Sequence, residues 1–149
     1  MKFENVLMEK AREDGIEKLV VGGVIINSEN ECLILSRKAD DFMGGIDEIP
    51  SGKLEKGEGL FNALIREVKE ESNLDVTEIV SYIDYFDYLS GSGKKSRQYN
   101  FVVKVNNYYD IKLTEHDEFK WQTLEELNSN KRITSKTLLT LNIAYFNMD

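Results

Sequence analysis

The chain has 149 residues, 41% of them hydrophobic, 31% charged and 10% aromatic, which fits a single folded domain over residues 1–149. Its 27 acidic residues against 19 Lys and Arg give a net charge of −8, an argument against a partner bound by neutralising nucleic-acid phosphates. One cysteine, Cys32, and one histidine, His116, exclude an internal disulfide and a Cys/His zinc site, leaving chemistry to carboxylates, hydroxyls, Lys, Arg or a metal held through oxygen.

Residues 2–14 read as an amphipathic helix with Phe3, Val6, Leu7 and Ala11 on one side, ended by Asp14-Gly15, so residues 1–17 form a helical N-terminal extension. Leu19 to Ile26 is a β-branched run suited to a strand buried on both faces. Asn27 to Asn30 is a turn, and Cys32 to Leu35 a second strand completing a hairpin. Pro50 marks a bend before Ser51-Gly52. From Glu58 to Ser72 the period becomes helical, with Leu60, Phe61, Leu64, Ile65 and Val68 in one apolar stripe. Strand-like segments follow at about 76–89, 97–106 and 118–122, the first two joined by the glycine-containing loop Ser90 to Lys95. Residues 135–147 read as a packed helix. This order points to a mixed sheet covered by helices. No apolar run approaches the ~20 residues needed to cross a bilayer, and the N-terminus lacks a basic segment followed by an apolar core. A cytoplasmic protein without a membrane partner is the expectation.

The segment 52–74 carries the chemistry. On a helix Glu67, Glu70 and Glu71 stand at i, i+3 and i+4 and share a face. That face lies roughly 100° around the helix from the apolar stripe, so the acidic patch flanks the buried side and can line a cleft. Like charges at this spacing repel, and a hard cation such as Mg²⁺, bound by carboxylates together with substrate phosphates, relieves the repulsion. Such an ion also lets an acidic protein accept a polyphosphate.

The spacing of Gly52, Glu58, Arg66, Glu67, Val68, Glu70, Glu71 and Leu74 resembles the signature of the Nudix hydrolases, G-x5-E-x7-R-E-U-x-E-E-x-G-U, with U a bulky aliphatic residue. Asn73 stands where the family has its second glycine, and asparagine is the next best residue for the left-handed position that ends a helix. Pro50-Ser51-Gly52 departs from the Pro-Gly-Gly of many relatives. The resemblance implies an α/β (α+β) fold, an α/β/α sandwich with a mixed β-sheet and a loop-helix-loop catalytic motif. It implies Mg²⁺- or Mn²⁺-dependent hydrolysis of a phosphoanhydride in a nucleoside diphosphate linked to another group, by water attack at phosphorus. Carried over by residue, Glu67, Glu70 and Glu71 are metal ligands and Ser51 offers its backbone carbonyl. Glu58 and Arg66 support them, and Gly52 and Asn73 shape the motif. Glu67 and Glu115 both qualify as general base, with Glu118 a third choice.

Arg37 and Lys38, after the second strand, either meet substrate phosphates or form a solvated strand end. Lys94, Lys95 and Arg97 read as a solvated loop. His116 shows no partner, Cys32 reads as inert core, and Tyr82, Tyr85, Tyr88 and Trp121 either stack on a base or pack. The expected partner is a small nucleotide or nucleotide derivative rather than nucleic acid, and helix 2–14 together with exposed aromatics elsewhere suits a homodimer. Two other readings stay open: an isopentenyl-diphosphate isomerase-like enzyme, and a Nudix-like module that binds a nucleotide without cleaving it.

Overall fold

The computed structural model describes residues 2–38 and 45–148. In chain order they form α1 (Phe3–Glu13), β1 (Lys18–Ile25), β2 (Cys32–Arg37), β3 (Asp47–Glu48), β4 (Ser51–Lys53), α2 (Leu60–Ser72), β5 (Val76–Leu89), β6 (Lys95–Val105), β7 (His116–Gln122), α3 (Leu124–Ser129) and α4 (Ser135–Phe146). A four-stranded sheet runs β4-β1-β6-β5, with β1 and β6 parallel and the other pairs antiparallel; a three-stranded antiparallel sheet runs β3-β2-β7. The mixed sheet expected from the element order is present, accompanied by a second one.

Side-chain alternation sorts the core into two layers. Val21 and Ile25 of β1, Leu33 and Leu35 of β2, and Tyr99, Phe101 and Val103 of β6 pack with Leu60, Leu64 and Val68 of α2. The opposite faces send Val24, Cys32 and Ile34 against Leu127 of α3 and Leu141 and Ala144 of α4. Helices therefore cover both sides, and β1 is apolar from Leu19 onward, with both its faces buried from Val20 to Ile25. Its two glycines fall on opposite sides: a Cβ on Gly23 would press on Val68 and Leu64, and one on Gly22 would overlap Asn100 and Gln98.

The β1–β2 hairpin is corrected. The turn forms, but only Ile26 and Cys32 bridge before the strands separate into different sheets. Pairing with β4 and β6 occupies both edges of β1, so β2 can pair only elsewhere. Ile65 also leaves the predicted stripe and is exposed. On α1, Ala11 is buried and Leu7 and Met8 pack on the core, while Phe3 and Val6 stay about half-exposed. That helix is tied down by Tyr99, whose hydroxyl donates to the Leu7 carbonyl, and by Glu4, whose carboxylate accepts the Phe61 N–H at the start of α2. Glu4 thereby caps a helix that has no side-chain cap of its own. At its other end Asn73 adopts the left-handed conformation with φ 71°, as expected from the motif. Among the described residues no helix is long and apolar enough to cross a membrane.

Candidate functional site: a carboxylate pocket between α2 and β4

Strand β4 lies along β1, with Gly22 opposite Ser51 and Val21 opposite Gly52. Helix α2 crosses beside it, and the two are joined where the Ser51 N–H donates to Glu71 Oε1 at 2.8 Å. Gly52 is required by contact rather than by backbone conformation. A Cβ there would stand 2.0 Å from the Glu67 carboxyl carbon, so any side chain would displace that carboxylate.

Arg66 organises the pocket's outer side. Its Nε and Nη2 donate to the two oxygens of Glu58, both at 2.8 Å. Its Nη1 donates to Glu67 at 2.7 Å and Glu70 at 3.1 Å, and Nη2 also reaches the Lys53 carbonyl at 3.0 Å. A planar guanidinium suits this forked arrangement, and each charge-assisted bond fixes one carboxylate in orientation. The Arg66 bonds, with the Glu55 N–H as a further donor, hold the Glu58 carboxyl down at about 2. The same contacts raise the Arg66 pKa further.

The three signature glutamates grade from inside to outside: Glu71 is buried, Glu67 half-buried and Glu70 exposed. Burial pushes the Glu71 carboxyl up to about 9, reinforced by the charges of Glu48, Glu67 and Glu115 and opposed by the Ser51 N–H. Burial likewise raises Glu67 despite its bond to Arg66. Together with Ser51, Gly52, Thr114 and Glu115, these glutamates line a 290 Å³ pocket. Glu115 enters from just ahead of β7, and Thr114 is held there by donating to the Glu70 carbonyl.

Four carboxylates thus share a pocket in which Arg66 holds only Glu67 and Glu70. The donor set suits a hard divalent cation, and the raised Glu71 pKa marks a carboxyl with no cationic partner among the described residues. As the side chains stand, no group of three or more His, Cys, Asp or Glu among the described residues is arranged to hold a metal ion. Two of the candidate ligands are engaged by Arg66.

The remaining candidates fall elsewhere. Arg37 pairs with Glu48 through both carboxylate oxygens, at 2.7 and 3.1 Å, and lines a larger cleft beside the pocket; Lys38 is exposed. Glu118 pairs across from Ser36 on an exposed stretch of β7 and does not line the pocket. Arg97 overturns the reading of a solvated loop. It lies in β6, buried, bonded to Asp87 and Asp14 and set over the Tyr85 ring, because β6 begins earlier than the loop residues suggest. His116 has the partner the sequence did not reveal: its Nε2 meets Glu48 at 2.9 Å, while its buried Nδ1 has none among the described residues. Cys32 is buried and its thiol is pushed up to about 12 by burial, consistent with inert core. Tyr82 packs on Phe3, Tyr99 and Phe101, and Trp121 on Tyr108. Tyr88 lines the larger cleft, together with Phe86, Glu48 and Gln98. Those last three lie outside the motif, and no spacing in the sequence singles them out.

Residues 17–140 match the NUDIX domain family. An RNA pyrophosphohydrolase from Campylobacter jejuni is 32% identical over 111 residues, covering 66% of this chain and 70% of that protein. An 8-oxo-dGTP diphosphatase from Proteus vulgaris is 42% identical over 59 residues, 40% of this chain and 53% of that one. Among solved structures, a MutT protein from Methanosarcina mazei Go1 superposes with a TM-score of 0.76 at 24% identity, over 89% of this chain and 96% of that one, a likeness of fold.

Proposed function

The chain belongs to the Nudix hydrolase family, and on that premise we propose that it is a Mg²⁺- or Mn²⁺-dependent pyrophosphohydrolase of nucleoside diphosphate derivatives. The observation that carries this reading is the pocket of Glu67, Glu70, Glu71 and Glu115, in which four carboxyl groups converge while Arg66 bonds only two of them.

Glu67, Glu70 and Glu71 would hold the metal, with the Ser51 carbonyl as a further oxygen donor. When bound, a divalent cation lowers the pKa of water and neutralises charge on phosphate oxygens. The protein's own contribution is positional. Arg66, clamped by Glu58, orients Glu67 and Glu70, and the Ser51 N–H fixes the Glu71 oxygen that faces the strand. Glu67 and Glu115 both line the pocket, so either can accept the proton of the attacking water. Arg66 and Glu58 act through these carboxylates as positioning residues.

The two relatives named above are an RNA pyrophosphohydrolase and an 8-oxo-dGTP diphosphatase, so both substrate types belong in the test. The purified chain is incubated in ¹⁸O water with Mg²⁺ or Mn²⁺ and a panel of nucleoside triphosphates, nucleotide sugars, dinucleoside polyphosphates and 5′-triphosphorylated RNA. Mass spectrometry then identifies the products and the phosphorus that gains ¹⁸O. Hydrolysis abolished by EDTA and restored by either metal is expected, whereas chelator-insensitive hydrolysis contradicts the metal role.

A further inference from the structure

A 470 Å³ cleft adjoins the carboxylate pocket, and the two share Ser51 and Gly52. Its floor is the α4-facing side of the mixed sheet. Strand register places Ser51, Gly22, Asn100 and Asp84 in one row across β4, β1, β6 and β5, and Lys53, Val20, Gln98 and Phe86 in the next.

Asn100 and Gln98 are buried, 0% and 7% exposed, a costly placement for two carboxamides unless their hydrogen bonds are met. Those of Asn100 are met, and in a fixed direction. The Thr140 hydroxyl donates to Asp84 at 2.9 Å, and Asn100 Nδ2 donates to Asp84 at 3.0 Å. Asn100 Oδ1 in turn accepts from Gln98 Nε2 at 2.8 Å. A carboxylate only accepts, so Asn100 must turn its amino group toward Asp84 and its carbonyl toward Gln98. Gln98 must then spend an N–H on Asn100, and its own carbonyl oxygen is left over. Gln98 accepts no hydrogen bond from the described residues, and its side chain lines the cleft. Gly22 keeps room for this chain of bonds. A Cβ there would stand 2.5 Å from Asn100 Oδ1 and 2.6 Å from Gln98 Nε2.

We propose that Gln98 determines specificity, its carbonyl oxygen accepting a hydrogen bond from the exocyclic amino group of a nucleobase lying against Phe86. Asp84 and Asn100 are the positioning residues that set the polarity of that carboxamide. This rests on the nucleotide reading above, because it takes the cleft as the place of the base while the phosphates meet the carboxylate pocket. A preset acceptor of this kind discriminates well, since a base lacking the amino group leaves a desolvated carbonyl unpaired.

The test is equilibrium binding of nucleoside 5′-monophosphates, which contain no anhydride, measured by isothermal titration calorimetry on the full chain. Three pairs differ in one amino group: AMP against purine riboside 5′-monophosphate, GMP against IMP, and CMP against pyrimidin-2-one riboside 5′-monophosphate. In the wild type the amino-bearing member of at least one pair is expected to bind about tenfold tighter. Gln98→Met, close in shape but unable to accept, should bring that ratio to within about twofold. Asp84→Asn can donate as well as accept, so it frees the relay to reverse and should lower the ratio without altering Gln98 itself. If Gln98→Met fails to fold, the Asp84→Asn ratio decides. Absence of binding, absence of any such preference in the wild type, or an unchanged ratio in the folded variants overturns the proposal. A preference lost in Gln98→Met supports it even if no anhydride in the panel is hydrolysed, and hydrolysis with unchanged ratios overturns it while leaving the hydrolase reading in place.

Discussion

Two arginines, Arg66 and Arg97, each gather carboxylates through several hydrogen bonds, yet their surroundings differ in charge balance. Arg97 is buried between α1 and β5, where it meets Asp87 and Asp14, and Lys10 also reaches Asp14 at 3.5 Å. The Tyr85 ring closes its remaining face, with Cζ 4.1 Å from the ring centroid. Two cations there face two carboxylates, and the group is a clamp between the first helix and the sheet. Around Arg66 the acids outnumber the base: Glu58, Glu67 and Glu70 bond to it, while Glu71 and Glu115 line the same pocket without it. A buried ion pair is therefore weak evidence of a site. An excess of acids over bases in a partly enclosed pocket is the stronger indication, because burial and mutual repulsion both oppose ionisation there and a bound cation would relieve both.

The largest expected effect tests the unbalanced cluster. Glu71→Gln should cut hydrolysis by about 10²–10³-fold, equivalent to several kcal/mol of lost charge stabilisation. Its fold should be retained, since the amide keeps an acceptor for the Ser51 N–H. Steady-state kinetics with thermal melts reads both, and near-normal turnover would remove Glu71 from the metal site.

Arg97→Met should show the opposite pattern. It strips charge-assisted bonds from Asp87 and Asp14, which are themselves partly exposed, so a loss of roughly 2–3 kcal/mol in urea unfolding is expected. The turnover number of the folded fraction should stay at the wild-type level. A selective loss of turnover would break the distinction between clamp and site.

The pH dependence separates the two kinds of carboxylate within the Arg66 cluster. Glu71 sits at about 9 in the fold against about 4.3 in the unfolded chain. The folded state therefore binds more protons in that interval, and the Glu71 contribution to stability falls as pH rises from about 4.3 towards 9. Glu58 sits at about 2, so its contribution is fully present above about 4.3 and is lost as pH falls towards 2. Unfolding in EDTA should accordingly show an alkaline decline that Glu71→Gln removes and an acid decline that it leaves in place. An alkaline slope unchanged in Glu71→Gln would assign the decline to other groups.

The smallest effect sharpens the reading of the motif's departure. Asn73→Gly removes the bond from Asn73 Nδ2 to the Asp110 carbonyl while relieving the left-handed backbone, and these offset. Stability should move by no more than about 0.5 kcal/mol and turnover should not change. A large loss of turnover would show that residue 73 does more than end α2.

Legibility followed the range of the interactions. The helix carrying Glu67, Glu70 and Glu71, its apolar stripe and the left-handed Asn73 were readable because helical period and capping depend on residues three or four apart. Ile65 departed from that stripe because the packing partners of α2 left its position uncovered. The hairpin failed for a related reason: the turn at Asn27 to Asn30 is local, but β4 and β6 claimed both edges of β1. Gln98 and Asn100 alternate with Tyr99 and Phe101, a pattern that alone suggests a solvated face, and α4 buries that face instead.

By itself the sequence determined the chemistry available: acidic side chains at helical spacing, one histidine, one cysteine, and an arginine placed to hold carboxylates. Only the tertiary structure decided how that chemistry is used. It buried Glu71 while leaving Glu70 in water, brought Glu115 into the same pocket from the segment ahead of β7, and gave Arg97 a balanced role unlike that of Arg66. The physical reason is that residue type and local period set which groups lie on a face, whereas desolvation and charge balance depend on what packs against that face from distant parts of the chain.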